Sequence, residues 1–307
     1  MLLMAEKDEF WTFYWEMRLQ SMETLGKRAA ILAGSALIRR LAQELGRPLR
    51  VLELGCGEAQ IVGTLLDAHA QLCTTQPVVG VDYNARSLAT CRRDFPGMRF
   101  LEGDFTDPKL LASLGHYDLL LLVNALHEVF SFTFSAELGE VDVEHAKQRV
   151  EQALGDAARC LEPGGWLLLF DGLEPPGDPR QSLRIRFVTA QARAHFETFA
   201  ETYHPFQIRY QNTDDALAVR LSQRDFTRYI TKSIFLGKRL WDTERSESYQ
   251  YFTESEFRAA FARQGLKIIE LRTLTVNADK WSRQVRIETP GVDFPTEHIM
   301  ITAQRVA

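Results

Sequence analysis

The sequence lacks the cysteine pattern of a disulfide-bonded or metal-binding protein. Four cysteines, Cys56, Cys73, Cys91 and Cys160, are spread over 307 residues, and no two of them form a Cys-x-x-Cys pair. A chain of this length can build a core without disulfides. No spacing of His, Cys and carboxylate residues indicates a metal site. We therefore expect reduced, partly buried thiols and no bound metal.

Long apolar runs are also missing. No stretch reaches the roughly 18 uncharged apolar residues of a membrane span. The first ten residues carry Glu6, Asp8 and Glu9 where a secretion signal would have a basic end and an apolar stretch. With 45% hydrophobic and 25% charged residues, the composition is that of a globular protein. We expect a cytoplasmic protein that has no membrane partner and contains one enlarged domain or two.

The charge is small in total but unevenly distributed. The net charge is −5, yet the segment from Arg180 to Arg286 contains 19 Lys and Arg against 12 Asp and Glu. A basic segment in an acidic protein could contact an anionic substrate, or it could be a solvated surface. Both interpretations stay open from the sequence.

A glycine-rich turn follows the first strongly apolar run. Leu49–Leu54 is typical of a buried parallel strand, and Gly55 and Gly57 come directly after it. Glycines at such a turn let a ligand approach the backbone, and the helix that follows offers unpaired N–H groups. The dinucleotide fingerprint would need a third glycine at the position of Gln60, which disfavours a nicotinamide or flavin cofactor.

Acidic and polar residues end the next predicted strands. Asp82 ends the short apolar run after Pro77, and Asp104 follows a third strand. A carboxylate at the tip of the second strand can accept both hydroxyls of a ribose. The dense apolar run Tyr117–Val123 indicates a central strand, which stops at a polar cluster that includes Asn124. These groups should meet at the crevice where the strand order of the sheet reverses.

Taken together, these motifs resemble the class I S-adenosylmethionine-dependent methyltransferases. Glu53, Gly55 and Gly57 match the family's acidic-x-Gly-x-Gly-x-Gly pattern, with Ala59 in place of the last glycine. The Pro-Gly-Gly turn at 163–165, before the fifth strand, is also similar to the family. The resemblance covers roughly residues 50–172. It implies an α/β fold with a Rossmann-like, doubly wound sheet of seven strands, of which the last is antiparallel.

The resemblance also implies the cofactor and its contacts. The cofactor would be S-adenosyl-L-methionine, with S-adenosyl-L-homocysteine as the product. Asp82 would bind the ribose, Asp104 the adenine amino group, and Phe105 would lie beside the adenine ring. The expected cofactor-binding residues are Glu53, Gly55, Cys56, Gly57, Asp82, Tyr83, Asp104, Phe105, Asn124 and Ala125.

The rest of the chain divides around this core. We expect an N-terminal helical lid segment at 1–46, with a break possible near Gly34. The cofactor-binding core would cover 47–179, and a helical insertion at 180–250 would cap the substrate, with helices over 183–202 and 222–236. Residues 251–307 would complete the core. A capping box at 253–256 predicts the start of its helix, and strands should follow at 266–274 and 298–305.

Two groups of residues are candidates for substrate binding. Trp11, Tyr14 and Trp15 belong to an aromatic cluster too dense for one buried stripe, so they either pack under the sheet or cover an apolar or aromatic substrate. Arg184 and Arg186 follow the Pro-rich loop and could bind an anionic acceptor. We predict a helix there, on which the two arginines point about 200° apart and only one could face the site.

His127 is the candidate for a catalytic base. It follows the fourth strand by a few residues, and a free imidazole titrates near neutral pH. The leaving group of a methyl sulfonium is a neutral thioether, so only proton removal from the acceptor would need a base. His127 as base, His127 as a wall of the substrate pocket, and a structural His127 all stay open.

The sequence therefore predicts an enzyme that methylates a small-molecule acceptor, aromatic or anionic, on oxygen or nitrogen, with proton removal by a pocket base. The alternative is a nucleic-acid or protein methyltransferase that uses the basic insertion. The Asn/Asp-Pro-Pro-aromatic signature of enzymes that methylate base amino groups is absent, because the fourth strand ends Asn124-Ala125-Leu126-His127. A scaffold that binds the cofactor without catalysis is disfavoured by the intact acids at Glu53, Asp82 and Asp104.

Overall fold

The computed structural model describes residues 25–238, 241–275 and 278–306. Its strands are β1 (Leu49–Leu54), β2 (Cys73–Thr74), β3 (Gly80–Asp82), β4 (Phe100–Glu102), β5 (Tyr117–Val123), β6 (Phe134–Ser135), β7 (Glu140–Val141), β8 (Leu161–Gly172), β9 (Ser182–Phe187), β10 (Tyr210–Asn212), β11 (Ala218–Ser222), β12 (Leu266–Leu274), β13 (Val285–Ile287) and β14 (His298–Arg305). Its α-helices are α1 (Leu25–Leu45), α2 (Val62–Ala68), α3 (Ala85–Asp94), α4 (Pro108–Leu114), α5 (Leu126–Ser131), α6 (Val143–Arg159), α7 (Ala190–Thr202), α8 (Gln223–Lys232), α9 (Trp241–Glu244), α10 (Glu254–Arg263) and α11 (Ala278–Ser282).

The central sheet has the order β12-β14-β8-β5-β1-β3-β4, and the two-residue strand β2 adds to β1. Strands β8, β5, β1, β3 and β4 pair in parallel, whereas β14 pairs antiparallel with both of its neighbours. All seven residues of β5 are buried, as expected for a strand covered on both faces. The prediction of a Rossmann-like sheet with an antiparallel last strand is confirmed.

Helix α1 runs without a break from Leu25 to Leu45, so the predicted break near Gly34 is wrong. The glycine serves packing instead. A Cβ at Gly34 would lie 2.8 Å from Cδ1 of Leu65 on α2, so its absence lets the two helices approach closely. The capping box at the start of α10 is present: the Thr253 hydroxyl accepts from the Glu256 N–H, and the Glu256 carboxylate accepts from the Thr253 N–H.

The insertion after β8 is not purely helical, which corrects the predicted organisation. Its first part is strand β9, where a helix was predicted, and β9 joins a second, antiparallel sheet of order β10-β11-β9-β13. Leu183, Ile185 and Phe187 are fully buried on one face of β9. Their period of two is that of a half-buried strand. The helices α7 and α8 pack on this sheet, so the later part of the helical prediction holds.

Strand β13 comes from the C-terminal part of the chain but pairs with β9 of the insertion. The second sheet therefore draws on two separate segments. We use the word cap for residues 180–250 together with 278–288. No helix in the described parts of the chain is long and apolar enough to cross a membrane. All four cysteines are buried and unpaired, as the sequence predicted for reduced thiols.

Candidate active site

The turn after β1 is held against the end of β3 by a carboxylate. The Gly57 N–H donates to Oδ2 of Asp82 at 2.7 Å, and the Asn84 N–H donates to Oδ1 at 2.8 Å. Gly55 and Gly57 both have positive φ. Ala59 has φ 56°, a left-handed conformation that costs a non-glycine residue about 1–2 kcal/mol. This backbone strain explains why the acidic-x-Gly-x-Gly-x-Gly pattern has glycine at the position of Ala59.

Glu53 lies beneath this turn and is 2% exposed. Its Oε2 accepts from the Val62 N–H at 3.0 Å. Burial raises the pKa of Glu53 to about 8, and the hydrogen bond from Val62 opposes the rise only in part. Cys56 is buried beside the turn.

The remaining predicted cofactor residues lie along the same edge of the sheet. Asp104 is exposed and accepts from the Thr106 N–H and hydroxyl through Oδ1, while Phe105 is buried. Tyr83 is 54% exposed, and its ring makes an edge contact with Phe132 at a centroid distance of 6.3 Å. The structure therefore brings the predicted residues together in one row, from the end of β1 to the end of β4.

A pocket adjoins the next strand end, at Asn124. The space along its walls, together with the open solvent at its mouth, is about 430 Å³. Asn124 has φ 53°, and its buried Oδ1 has no hydrogen-bond partner in the described part of the chain. The pocket is lined by the core and the cap together: Gly26, Asn124, Phe170, Ile230, Thr231, Ile234, Phe235, Tyr249, Glu297 and His298. A glycine-rich turn, a row of acids and a mainly apolar pocket thus share one edge of the sheet.

Comparison with known families decides the assignment. The sequence model of the methyltransferase domain family matches residues 26–271, which is most of the chain. The chain belongs to this methyltransferase family. It is an S-adenosylmethionine-dependent enzyme, as the motifs at Glu53, Gly55 and Gly57 predicted. A search of curated proteins finds no match.

Three solved structures with a similar fold are distant in sequence. A methyltransferase from Bacillus halodurans is 14% identical, with coverage of 88% of this chain and 99% of that one and a TM-score of 0.45. The 1,6-didemethyltoxoflavin N1-methyltransferase of Burkholderia thailandensis is also 14% identical, with coverage of 100% and 89% and a TM-score of 0.43. The magnesium protoporphyrin IX methyltransferase of Synechocystis is 12% identical, with coverage of 91% and 86% and a TM-score of 0.41.

His127 of the methyltransferase is 2% exposed and lies between two carboxylates. Its Nδ1 donates to Oδ1 of Asp171 at 2.8 Å, and its Nε2 is 3.5 Å from Oε2 of Glu247. Burial alone would lower the pKa of His127. The charge of Asp171 and the bonds to Asp171 and Glu247 outweigh burial and raise this pKa to about 9. At neutral pH the imidazole is therefore protonated, with both nitrogens facing acids.

This protonation makes the stability of the methyltransferase depend on pH. Folding raises the pKa of His127 from 6.5 to about 9. The contribution of His127 to the stability of the fold is therefore complete below pH 6.5 and is lost as the pH rises through about 9. The expected loss is about 3 kcal/mol. Urea unfolding at a series of pH values measures it, with His127→Gln as the control that should lose this part of the pH dependence.

The pKa of Glu53 is also raised, to about 8, so the deprotonation of Glu53 lowers the stability of the fold over an overlapping range of pH. The relevant quantity is therefore the difference between wild type and His127→Gln. Parallel profiles for the two proteins would contradict a protonated His127.

Two of the predicted substrate residues, Arg184 and Arg186, lie on the cap away from the pocket lining. Trp11, Tyr14 and Trp15 lie outside the described residues. Arg184 and Arg186 share one face of β9, which corrects the prediction that they point apart on a helix. Neither lines the pocket. Each forms ion pairs at the surface of the cap, Arg184 with Glu288 and Asp214, and Arg186 with Asp215.

Sequence reasoning missed the polar residues that surround His127. Asp171 is fully buried, and the Lys232 ammonium binds Glu244 at 2.7 Å and Glu247 at 2.8 Å. Burial alone would lower the pKa of Lys232, but the acidic groups of Tyr249, Glu247 and Glu244 raise it above its ordinary value. The only local signal was Asp171, an acid at the end of a buried strand.

Proposed function

We propose that the methyltransferase transfers a methyl group from S-adenosylmethionine to a small-molecule acceptor held in the pocket at Asn124, on an oxygen or nitrogen atom. The observation that carries the proposal is the position of this pocket. It adjoins the end of β5, next to the row of groups expected to hold the cofactor, and the cap encloses its other side.

The residues at the ends of β1, β3 and β4 fit the proposed cofactor. A Cβ at Gly57 would meet no described atom within 4 Å, so a ligand has room beside its backbone. Asp82, which is 8% exposed, can add ribose hydroxyls to the two N–H groups it already accepts. Asp104 and the exposed ring of Tyr83 would hold the adenine. When bound, S-adenosylmethionine supplies an electrophilic methyl group whose leaving group is a neutral thioether.

The pocket suits a small, partly aromatic acceptor. Its lining is mainly apolar with a few polar groups, which is usual for small-molecule sites. Phe170, Phe235 and Tyr249 offer ring faces and edges, and Asn124 offers an oxygen that can orient a hydroxyl or amine.

The basic charge of the cap does not favour a nucleic acid. Among the described residues, most arginines of this segment have an acidic partner. Besides the pairs of Arg184 and Arg186, Arg224 binds Glu174, and Arg228 binds Asp225. Arginines that are already paired with acids attract phosphates only weakly. The basic segment is therefore better explained as a solvated surface than as a nucleic-acid-binding face.

Proton removal falls to the groups that line the pocket. His127 is not among the lining residues, and Tyr249 stands between it and the pocket. Glu297 and His298 do line the pocket, with His298 Nδ1 3.7 Å from Oε1 of Glu297. We propose these two residues, in place of His127, as the groups that accept the proton of the acceptor.

The test combines cofactor binding with a search for the acceptor. Calorimetry should show binding of S-adenosylhomocysteine. Incubation of the methyltransferase and S-adenosylmethionine with a small-molecule library should give a product heavier by one methylene. Ile234→Trp, which fills the pocket from its half-buried edge, should abolish turnover and leave cofactor binding intact. Ile269→Trp, at an exposed isoleucine of β12, is the matched control. Methylation of only a polypeptide or a nucleic acid would overturn the proposal.

A further inference from the structure

Tyr249, a wall residue of the pocket, has the charged side chain of Lys232 and the ring of His127 beside it. The Lys232 ammonium lies 3.9 Å from the centroid of its ring. The His127 ring lies 4.1 Å away, at an interplanar angle of 61°. On the backbone side, a Cβ at Gly172 would lie 2.0 Å from the Tyr249 carbonyl oxygen, so only glycine fits there. Lys232, His127 and Gly172 thus determine the position of the Tyr249 ring.

The charges come from both parts of the fold. His127 follows β5 and Asp171 lies in β8 of the core, whereas Lys232, Glu244 and Glu247 belong to the cap. Glu247 bridges the two parts, because its Oε2 faces both His127 and Lys232. Lys232 is completely buried and His127 nearly so. The acids Glu128 and Asp171 and the phenol of Tyr251 are the further titratable groups nearby.

A network of buried charges contributes little net stability. Taking several charges out of water costs about as much as their attraction returns, and well-packed apolar residues often do as well. What a buried network does supply is one defined geometry. A desolvated ammonium over an aromatic face stabilises that one position of the ring.

We propose that Lys232 and His127 are positioning residues of the acceptor site, which act through Tyr249. Both hold the aromatic ring in the pocket wall and join the cap to the core at this point. They act on the orientation of the acceptor and take no part in proton transfer. This role rests on the proposed function, since it concerns the same pocket.

The ring itself gives a test that needs no acceptor. In protein labelled with ¹³C at its tyrosine rings, the Tyr249 signal is assigned by its loss in Tyr249→Leu. This signal should move as the pH passes about 9, where His127 loses its proton. It should also move in Lys232→Met and stay in place in Lys147→Met. The control breaks a 2.6 Å ion pair of Lys147 with Glu256, away from the pocket.

Kinetics with the acceptor from the library separates positioning from other roles. Lys232→Met should raise KM for the acceptor about tenfold or more and leave the affinity for S-adenosylhomocysteine unchanged. In a Tyr249→Leu background the same change should have no further effect, because both act through one ring. His127→Gln, which keeps the Lys232 contact, should show the same pattern more weakly and serves if Lys232→Met fails to fold.

The pH profile distinguishes a positioning histidine from a base. If protonated His127 holds the ring, turnover should fall as the pH rises through about 9; if neutral His127 were the base, turnover would rise over the same range. A rising profile, additive effects of Lys232→Met and Tyr249→Leu, or an unmoved ring signal would overturn the inference. A protein that fails to bind S-adenosylhomocysteine would instead contradict the proposed function.

Discussion

Replacing Asp171 by alanine should lower the free energy of unfolding by about 3–5 kcal/mol, the range for removing one partner of a buried ion pair. Asp171 is fully buried and accepts from the N–H groups of Leu126, His127 and Gly172 as well as from the His127 ring. Its removal leaves three backbone donors and a buried imidazolium without their acceptor. Urea unfolding at pH 7 measures the loss.

Two further variants interpret this result. Asp171→Asn keeps a carbonyl acceptor of the same shape but no charge, so its loss should be smaller. Asp214→Ala removes an exposed carboxylate 3.5 Å from Arg184 and should cost less than about 1 kcal/mol. If Asp171→Ala costs no more than the surface variant, the carboxylate does not hold this end of the sheet.

Replacing Asp82 by alanine should weaken the binding of S-adenosylmethionine roughly ten- to a hundredfold. A charged acceptor with two hydroxyl partners contributes on the order of 1.5–3 kcal/mol. The structure adds a second reason, because the same carboxylate ties the Gly57 N–H to β3. Without it, the ligand must also order the turn. Isothermal titration calorimetry of the folded variant measures the change.

Asp82→Asn should lie between wild type and alanine, because the amide oxygen can still accept from the Asn84 N–H at Oδ1. The matched control is Asp94→Ala, at the exposed far end of α3. It should bind the cofactor like wild type. Unchanged affinity in Asp82→Ala would remove Asp82 from the site.

Most of the core could be predicted because its signals are local. A strand buried on both faces must be a dense apolar run, as in β5, and a chain that leaves it for a helix needs a turn such as that at Gly55 and Gly57. Parallel strands place their ends at one edge, so the row of acids followed from the strands alone. The second sheet could not be predicted in the same way. Leu183 and Phe187 are four residues apart, a spacing that fits one face of a helix and one face of a strand equally well.

The polar network behind the pocket was beyond sequence reasoning for another reason. Lys232 and Glu247 lie far along the chain from His127, and no local pattern links them. In the sequence, a lysine that will be buried cannot be distinguished from a solvated one, because only tertiary packing encloses it. The two arginines of β9 show the reverse case. Their charges suggested an anion site, but their neighbours Asp215 and Glu288 come from other segments and neutralise them.

The pairing of β13 with β9 has a consequence for recombination. A chimera that exchanges residues 180–250 with those of a relative would leave β13 behind on the recipient. The donor's β9 would then meet a foreign edge partner, or none, and an unpaired strand edge invites aggregation. A new acceptor specificity can therefore be grafted only when both segments of the cap travel together.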